Sequence, residues 1–154
     1  ARMDTCRREG PRMTAERVFV DTNVLLYAHD RSAGRKHEIA TELLAELWGS
    51  RRGVLSTQVL QEFYVNATRK LPQPITAARA RATIKRYATW PIHRIEADDI
   101  VRASALERRH RQSFWDALIV TAAWRLQAGI LYTEDMQPGR RIGGVRILDP
   151  FRAS

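Results

Sequence analysis

The chain is expected to fold as a three-layer α/β/α domain around a mainly parallel central sheet of four to five strands. Two observations predict this class. Short apolar runs alternate along the sequence with longer segments of helical period, which is the pattern of strands joined by crossover helices. The length of 154 residues, with 44% of them hydrophobic, suits a single domain with a sizeable core.

The elements follow in order. Residues 1–16, "ARMDTCRREGPRMTAE", are polar, contain Gly10 and Pro11, and sustain no apolar period, so they are expected to be a flexible leader. The domain proper is expected over residues 17–150, with 151–154 as a short tail. "RVFV" (17–20) reads as a buried strand and "TNVLLYAH" as a short helix capped by Asp21 or Thr22. "HEIATELLAELWGS" (37–50) carries apolar residues at 39, 43, 44 and 47, a helical stripe expected to end at Gly49. "GVLS" (53–56) is a second strand, and "TQVLQEFYVNATRK" (57–70) a helix stopped by Pro72 and Pro74. Two further helices, 76–90 and 96–110, are joined by a weak strand, "PIHRI". Residues 114–129, "FWDALIVTAAWRLQAG", are apolar on nearly every side after the first turn and form a central helix. The strands "ILYT" (130–133) and "VRILD" (145–149) complete the set.

Composition narrows the function. Twenty-six Lys and Arg against seventeen Asp and Glu give a net charge of +9, which favours a polyanionic partner such as nucleic acid. The single cysteine, Cys6, excludes an intramolecular disulfide, and no segment has the apolar length of a membrane span, so the expected compartment is the cytoplasm without membrane attachment. Neither G-x-G-x-x-G nor G-x-x-x-x-G-K-[ST] occurs, which argues against a nucleotide cofactor. His29, His37, His93 and His110 are scattered, so a histidine pair for RNA cleavage is not expected.

The acids are more informative. Parallel α/β folds place their chemistry at the carboxyl ends of strands. Asp21 ends the first strand, Glu134 and Asp135 follow the strand after the central helix, Asp116 sits in the first turn of that helix, and Glu62 lies between Leu60 and Phe63 in a helix that follows a strand. Each has a bland explanation by itself: a helix cap for Asp21, a charge complementing the helix dipole for Asp116, a solvated helical position for Glu62. Together they point to one acidic cluster. Two carboxylates about 4 Å apart repel by about 4 kcal/mol at an effective dielectric of 20, so such a cluster calls for a cation. Hard oxygen donors without cysteine or paired histidine select Mg²⁺ or Mn²⁺ over zinc. A basic protein with such a site is suited to phosphodiester hydrolysis.

In their order and spacing, "VFVDTNVLLYAHD", "STQVLQEFY", "SFWDALIV" and "LYTEDM" resemble the four acidic motifs of the PIN-domain nucleases, specifically the VapC-type toxins of prokaryotic toxin–antitoxin pairs, over roughly residues 17–150. The resemblance implies a metal-dependent endoribonuclease. It implies that Asp21, Glu62, Asp116 and Asp135 are its metal-binding carboxylates and that Asn23 is a supporting polar residue. Thr22, Thr133 and Glu134 are expected to support the same site. It further implies Mg²⁺ or Mn²⁺ as cofactor, a homodimer, and a small antitoxin whose tail covers the active-site groove. The alternatives are a non-toxin RNA-processing nuclease and a catalytically weak RNA-binding module of the same fold. A phosphatase with an aspartate nucleophile is disfavoured because Asn23 stands where its second aspartate is needed.

Alternation of side chains along a strand allows only one of Glu134 and Asp135 to share a side with the other acids, and the resemblance selects Asp135. The candidate RNA contacts are Arg108, Arg109 and Arg111 in "RRHR" and its neighbourhood and Arg140 and Arg141 after Asp135, each also explicable as solvated surface. Trp115, next to Asp116, is expected in the core, with base stacking as the alternative.

Overall fold

A computed structural model describes residues 16–152. The expected leader and Cys6 fall outside the described residues, apart from Glu16. The chain runs β1 (Arg17–Val20), α1 (Thr22–Ala28), a 3₁₀ turn (Arg31–Ala33), α2 (Arg35–Ser50), β2 (Gly53–Ser56), α3 (Thr57–Arg69), α4 (Ala77–Tyr87), β3 (Ile92–His93), α5 (Ala97–His110), α6 (Phe114–Arg125), β4 (Ala128–Tyr132), β5 (Arg141–Ile142) and β6 (Val145–Leu148).

The strands form one six-stranded sheet in the order β3-β2-β1-β4-β6-β5. All pairings are parallel except β5 with β6. The middle is built from residues suited to burial on both faces: Val18, Phe19 and Val20 of β1 and all four residues of β2 are buried. Successive strand residues point to opposite faces, so both faces of the sheet are covered. Leu25, Leu44, Leu47, Val59 and Phe63 from α1 to α3, with Ile119 and Val120 from α6, fill one continuous core with β1, β2 and β4.

The structure departs from expectation at several places, among them the helix expected over 76–90, which ends at Tyr87. The sheet has a sixth strand, β5, whose two residues pair antiparallel with β6 (Ile142↔Val145) across Gly143 and Gly144, both at positive φ. Two residues carry too little alternation to read as a strand. Helix α2 passes through Gly49 and ends instead at Arg51, which takes the left-handed conformation (φ 60°) and donates its N–H to Leu47 O. Helix α6 ends four residues early and β4 starts at Ala128, because Ala128 is claimed by the ladder opposite Arg17. The weak strand shrinks to Ile92–His93, which pairs with Leu55–Ser56.

The strand order fixes where a site can form. From β1 the chain winds outward through β2 and β3, then crosses back to lay β4 on the other side of β1. The winding reverses between β1 and β4, and the crevice at the carboxyl ends of strands at such a switch point is where open α/β sheets bind ligands. The residue after β1 is Asp21, and the residues after β4 are Thr133, Glu134 and Asp135.

Candidate active site

At that switch point lies a cleft of ≈ 190 Å³ whose lining includes Asp21, Glu62, Asp116 and Asp135. The four acids come from four separate segments: the β1–α1 junction, the second turn of α3, the first turn of α6 and the loop after β4. Thr22, Asn23, Gln58, Asn66 and Trp115 add polar and aromatic groups, and Leu26 and Ile119 supply an apolar floor.

Asp21 is the anchored member. It is only 5% exposed, and its carboxylate accepts from the Thr22 N–H at 2.7 Å and from the Thr133 hydroxyl at 2.8 Å. It occupies the N-cap position of α1, so the capping role and the cleft position coincide in one residue. Burial pushes its pKa up to about 7, against the two hydrogen bonds, with Asp135 and Glu62 adding repulsion. Burial likewise raises Asp116, whose N–H is bonded to the N-cap Ser113 hydroxyl at 3.0 Å, and Asp135 and Glu62 raise it further.

Glu62 is held from both sides, by the Thr22 hydroxyl at 2.7 Å and by the Gln58 amide at 3.1 Å. The same Gln58 nitrogen donates to Trp115 O at 3.3 Å, so one buried amide links the helix of Glu62 to the helix start that carries Asp116. Two acceptors on one side fix the orientation of the amide, and its Oε1 is left buried without a partner among the described residues. Asn23 donates to Asp135 at 3.0 Å and to Thr133 at 3.2 Å, joining the loop after β4 to α1. Thr133 is the centre of this net: it donates to Asp21 and accepts from Asn23 and from the Asp135 N–H at 3.1 Å.

Glu134 and Asp135 diverge. The strand stops at Tyr132, and the Glu134 carboxylate turns away from the cleft to accept from Tyr27 OH at 2.5 Å and from Lys36 Nζ at 2.9 Å. Asp135 lines the cleft.

The expected core position of Trp115 is wrong. Its side chain is 63% exposed at the cleft, because the fully buried stretch of α6 begins only at Ala117. None of Arg108, Arg109, Arg111, Arg140 and Arg141 lines the cleft, although Arg140 bonds His110 O at 3.2 Å and so brings the two basic segments side by side. None of the four histidines lines the cleft, although His29 and His37 share another pocket. His93, for example, bonds Asp99 at 2.7 Å; with Arg125 at 2.8 Å it satisfies a buried carboxylate that sequence reading did not single out.

The donor set is oxygen only, which suits a hard divalent cation rather than zinc. Among the described residues no three acids are already drawn to a common ligating distance. The carboxylates line the cleft, and the pKa values of Asp21 and Asp116 are raised first by burial and then by repulsion from Asp135 and Glu62.

Fold and cleft together define the class: a wound α/β domain with an acidic, oxygen-donor site at its switch point. The PIN domain family matches residues 18–141, and the chain belongs to that family. Solved structures with the same fold include a chain of a toxin–antitoxin complex from Klebsiella pneumoniae, with 24% identity, TM-score 0.64, and 88% of this chain and 99% of that one covered. VapC20 of Mycobacterium tuberculosis, a sarcin–ricin loop cleaving toxin, shares 24% identity with TM-score 0.61, covering 77% of this chain and 91% of its own. DNA-bound VapBC from Salmonella typhimurium gives 18% identity and TM-score 0.58, covering 88% and 98%. No curated protein matches the sequence.

Proposed function

We propose that the protein is a metal-dependent endoribonuclease that acts as the toxin of a toxin–antitoxin pair. The observation that carries this is the meeting of Asp21, Glu62, Asp116 and Asp135, from four separate segments, in one cleft of a chain with net charge +9. These four would hold Mg²⁺ or Mn²⁺, with Thr22, Asn23 and Thr133 fixing them and Glu134 supporting from outside. A bound divalent ion neutralises phosphate oxygens, lowers the pKa of water and stabilises the leaving oxyanion.

The protein's own residues prepare the site. Thr133 and the Thr22 N–H hold the Asp21 carboxylate in one orientation, and Thr22 and Gln58 do the same for Glu62. Such fixed groups need little reorganisation when charge develops on the phosphate. The basic runs around Arg108, Arg109 and Arg111 and around Arg140 and Arg141 supply long-range attraction for RNA. They stand outside the cleft, so they would contact backbone flanking the reacting phosphate.

Toxin–antitoxin assemblies among the solved structures of like fold support an antitoxin partner, and a homodimer in the cytoplasm completes the reading. No helix among the described residues is long and apolar enough to cross a membrane. Purified protein is expected to cleave RNA in Mg²⁺ or Mn²⁺ and to stop in EDTA; robust cleavage in EDTA would contradict the mechanism. Co-expression with the neighbouring short reading frame is expected to restore growth and yield a co-purifying complex. Failure of both, with cleavage intact, favours a housekeeping RNA-processing nuclease.

A further inference from the structure

Among the described residues Trp115 is the one large aromatic that the fold leaves mostly in solvent, at 63% exposure, and it lies on the lining of the acidic cleft. Its backbone is not free. The Trp115 carbonyl accepts from the buried Gln58 amide at 3.3 Å, and the next residue, Asp116, is bonded to the Ser113 cap. Its ring meets Phe114 edge-on, with centroids 5.2 Å apart and planes at 79°, and Phe114 packs on the small cluster of Ala103, Ala117 and Leu118. An indole so braced, beside a carboxylate of the cleft, presents its surface at little entropic cost. Every nucleobase offers a π-face to such a platform.

Building on the nuclease function set out above, we propose that Trp115 stacks the unpaired nucleobase adjacent to the phosphate seated in the acidic cleft, so that the enzyme selects single-stranded or looped RNA. A base inside an A-form duplex is already stacked on both sides, whereas loops and ends can splay a base onto an aromatic. Trp115 is therefore a determinant of substrate form, and arginines that contact only phosphates would be indifferent to it.

The test uses the full chain in Mg²⁺ and a short single-stranded oligoribonucleotide whose cleaved bond has been mapped, alongside versions with an abasic residue on either side of that bond. Trp115→Ala is expected to raise KM about tenfold, the factor that about 1.4 kcal/mol of stacking gives, with kcat little changed. Trp115→Phe is expected to retain most of the activity, and melting temperature is expected to hold in both. One abasic substitution should cost the wild type a similar factor and cost Trp115→Ala nothing further. Anisotropy of a fluorescein-labelled oligonucleotide repeats the comparison without relying on cleavage, and the alanine variant is expected to bind about tenfold more weakly.

Equal KM and binding for wild type and Trp115→Ala, or abasic penalties of the same size in both, would overturn the stacking while leaving the nuclease in place. A change of oligomeric state in Trp115→Ala with unaltered RNA kinetics would overturn it in favour of a protein contact at this position. Wild type that neither cleaves nor binds RNA would remove both. Wild type that binds without cleaving, with the alanine variant weakened, would support the stacking and contradict the nuclease.

Discussion

Asp21→Asn and Asp116→Asn are each expected to lower RNA cleavage by at least about a hundredfold, the upper end of what disturbing the shell around a metal site costs, without destabilising the metal-free protein. The second half of that expectation follows from magnitudes. Asparagine at position 21 keeps one of the two hydrogen bonds that Asp21 accepts from Thr22 and Thr133, and a lost hydrogen bond costs about 1 kcal/mol. Against this stands the penalty for burying the charge. With the pKa raised from 3.8 to about 7, ionised Asp21 opposes folding by on the order of 4 kcal/mol as an upper bound. The charge penalty is the larger effect, so in EDTA at pH 8 the melting temperature of Asp21→Asn should match or exceed that of the wild type.

The pH dependence carries the same sign. The folded protein keeps Asp21 protonated up to about 7, whereas the unfolded chain ionises it above 3.8, so between these values the folded state binds more protons and stability falls as pH rises. The loss is absent below 3.8 and complete above about 7. Asp21→Asn should lack this decline, which appears as a stability difference between variant and wild type that widens from pH 4 to pH 7. A large drop in melting temperature at every pH would mean instead that Asp21 serves the fold as the cap of α1 and little else. Asp116, half-exposed, is better screened and should show the same direction with a smaller amplitude.

Asp135→Asn is expected to slow cleavage at least about tenfold, and Glu134→Gln less. The two side chains have different company. Asp135 lines the cleft and accepts from Asn23 at 3.0 Å, whereas Glu134 is bound to Tyr27 and Lys36 on its far side. Glu134→Gln therefore loosens the loop that holds Asp135 but leaves every cleft carboxylate in place. Rates at saturating and at limiting Mg²⁺ separate loss of metal affinity from loss of chemistry. If Glu134→Gln is the more damaging change under both conditions, Asp135 is not the fourth ligand.

Much of the fold was legible because the strands of a sheet covered on both faces are short apolar runs, and "RVFV" and "GVLS" start and stop where their sequences indicate. What escaped was decided by pairing between distant segments. Ala128 and Gly129 look like the end of a helix, but the ladder with β1 draws them into β4. The four acids were legible for a related reason: each is a charge set beside apolar sequence at a strand end or helix start, a placement that costs energy unless it serves something. Gln58 was within reach, since it lies four residues before Glu62 and therefore on the same face of α3. Tyr27 and Lys36 were not, because their contacts with Glu134 span 107 and 98 residues of chain. Trp115 misled because α6 as a whole is apolar, while its first turn projects beyond the core that begins at Ala117.

If Asp21, Glu62, Asp116 and Asp135 form one metal centre, as proposed, the protein must bind a divalent ion through all four. Titrating Mn²⁺ into the protein, with free ion followed by electron paramagnetic resonance, tests it most directly. Wild type is expected to bind Mn²⁺ at this site with Mg²⁺ competing for it, and Asp21→Asn, Glu62→Gln, Asp116→Asn and Asp135→Asn are each expected to weaken binding by about tenfold or more. Wild-type binding that none of the four substitutions alters, or no binding at all by a protein that still cleaves RNA, would contradict it.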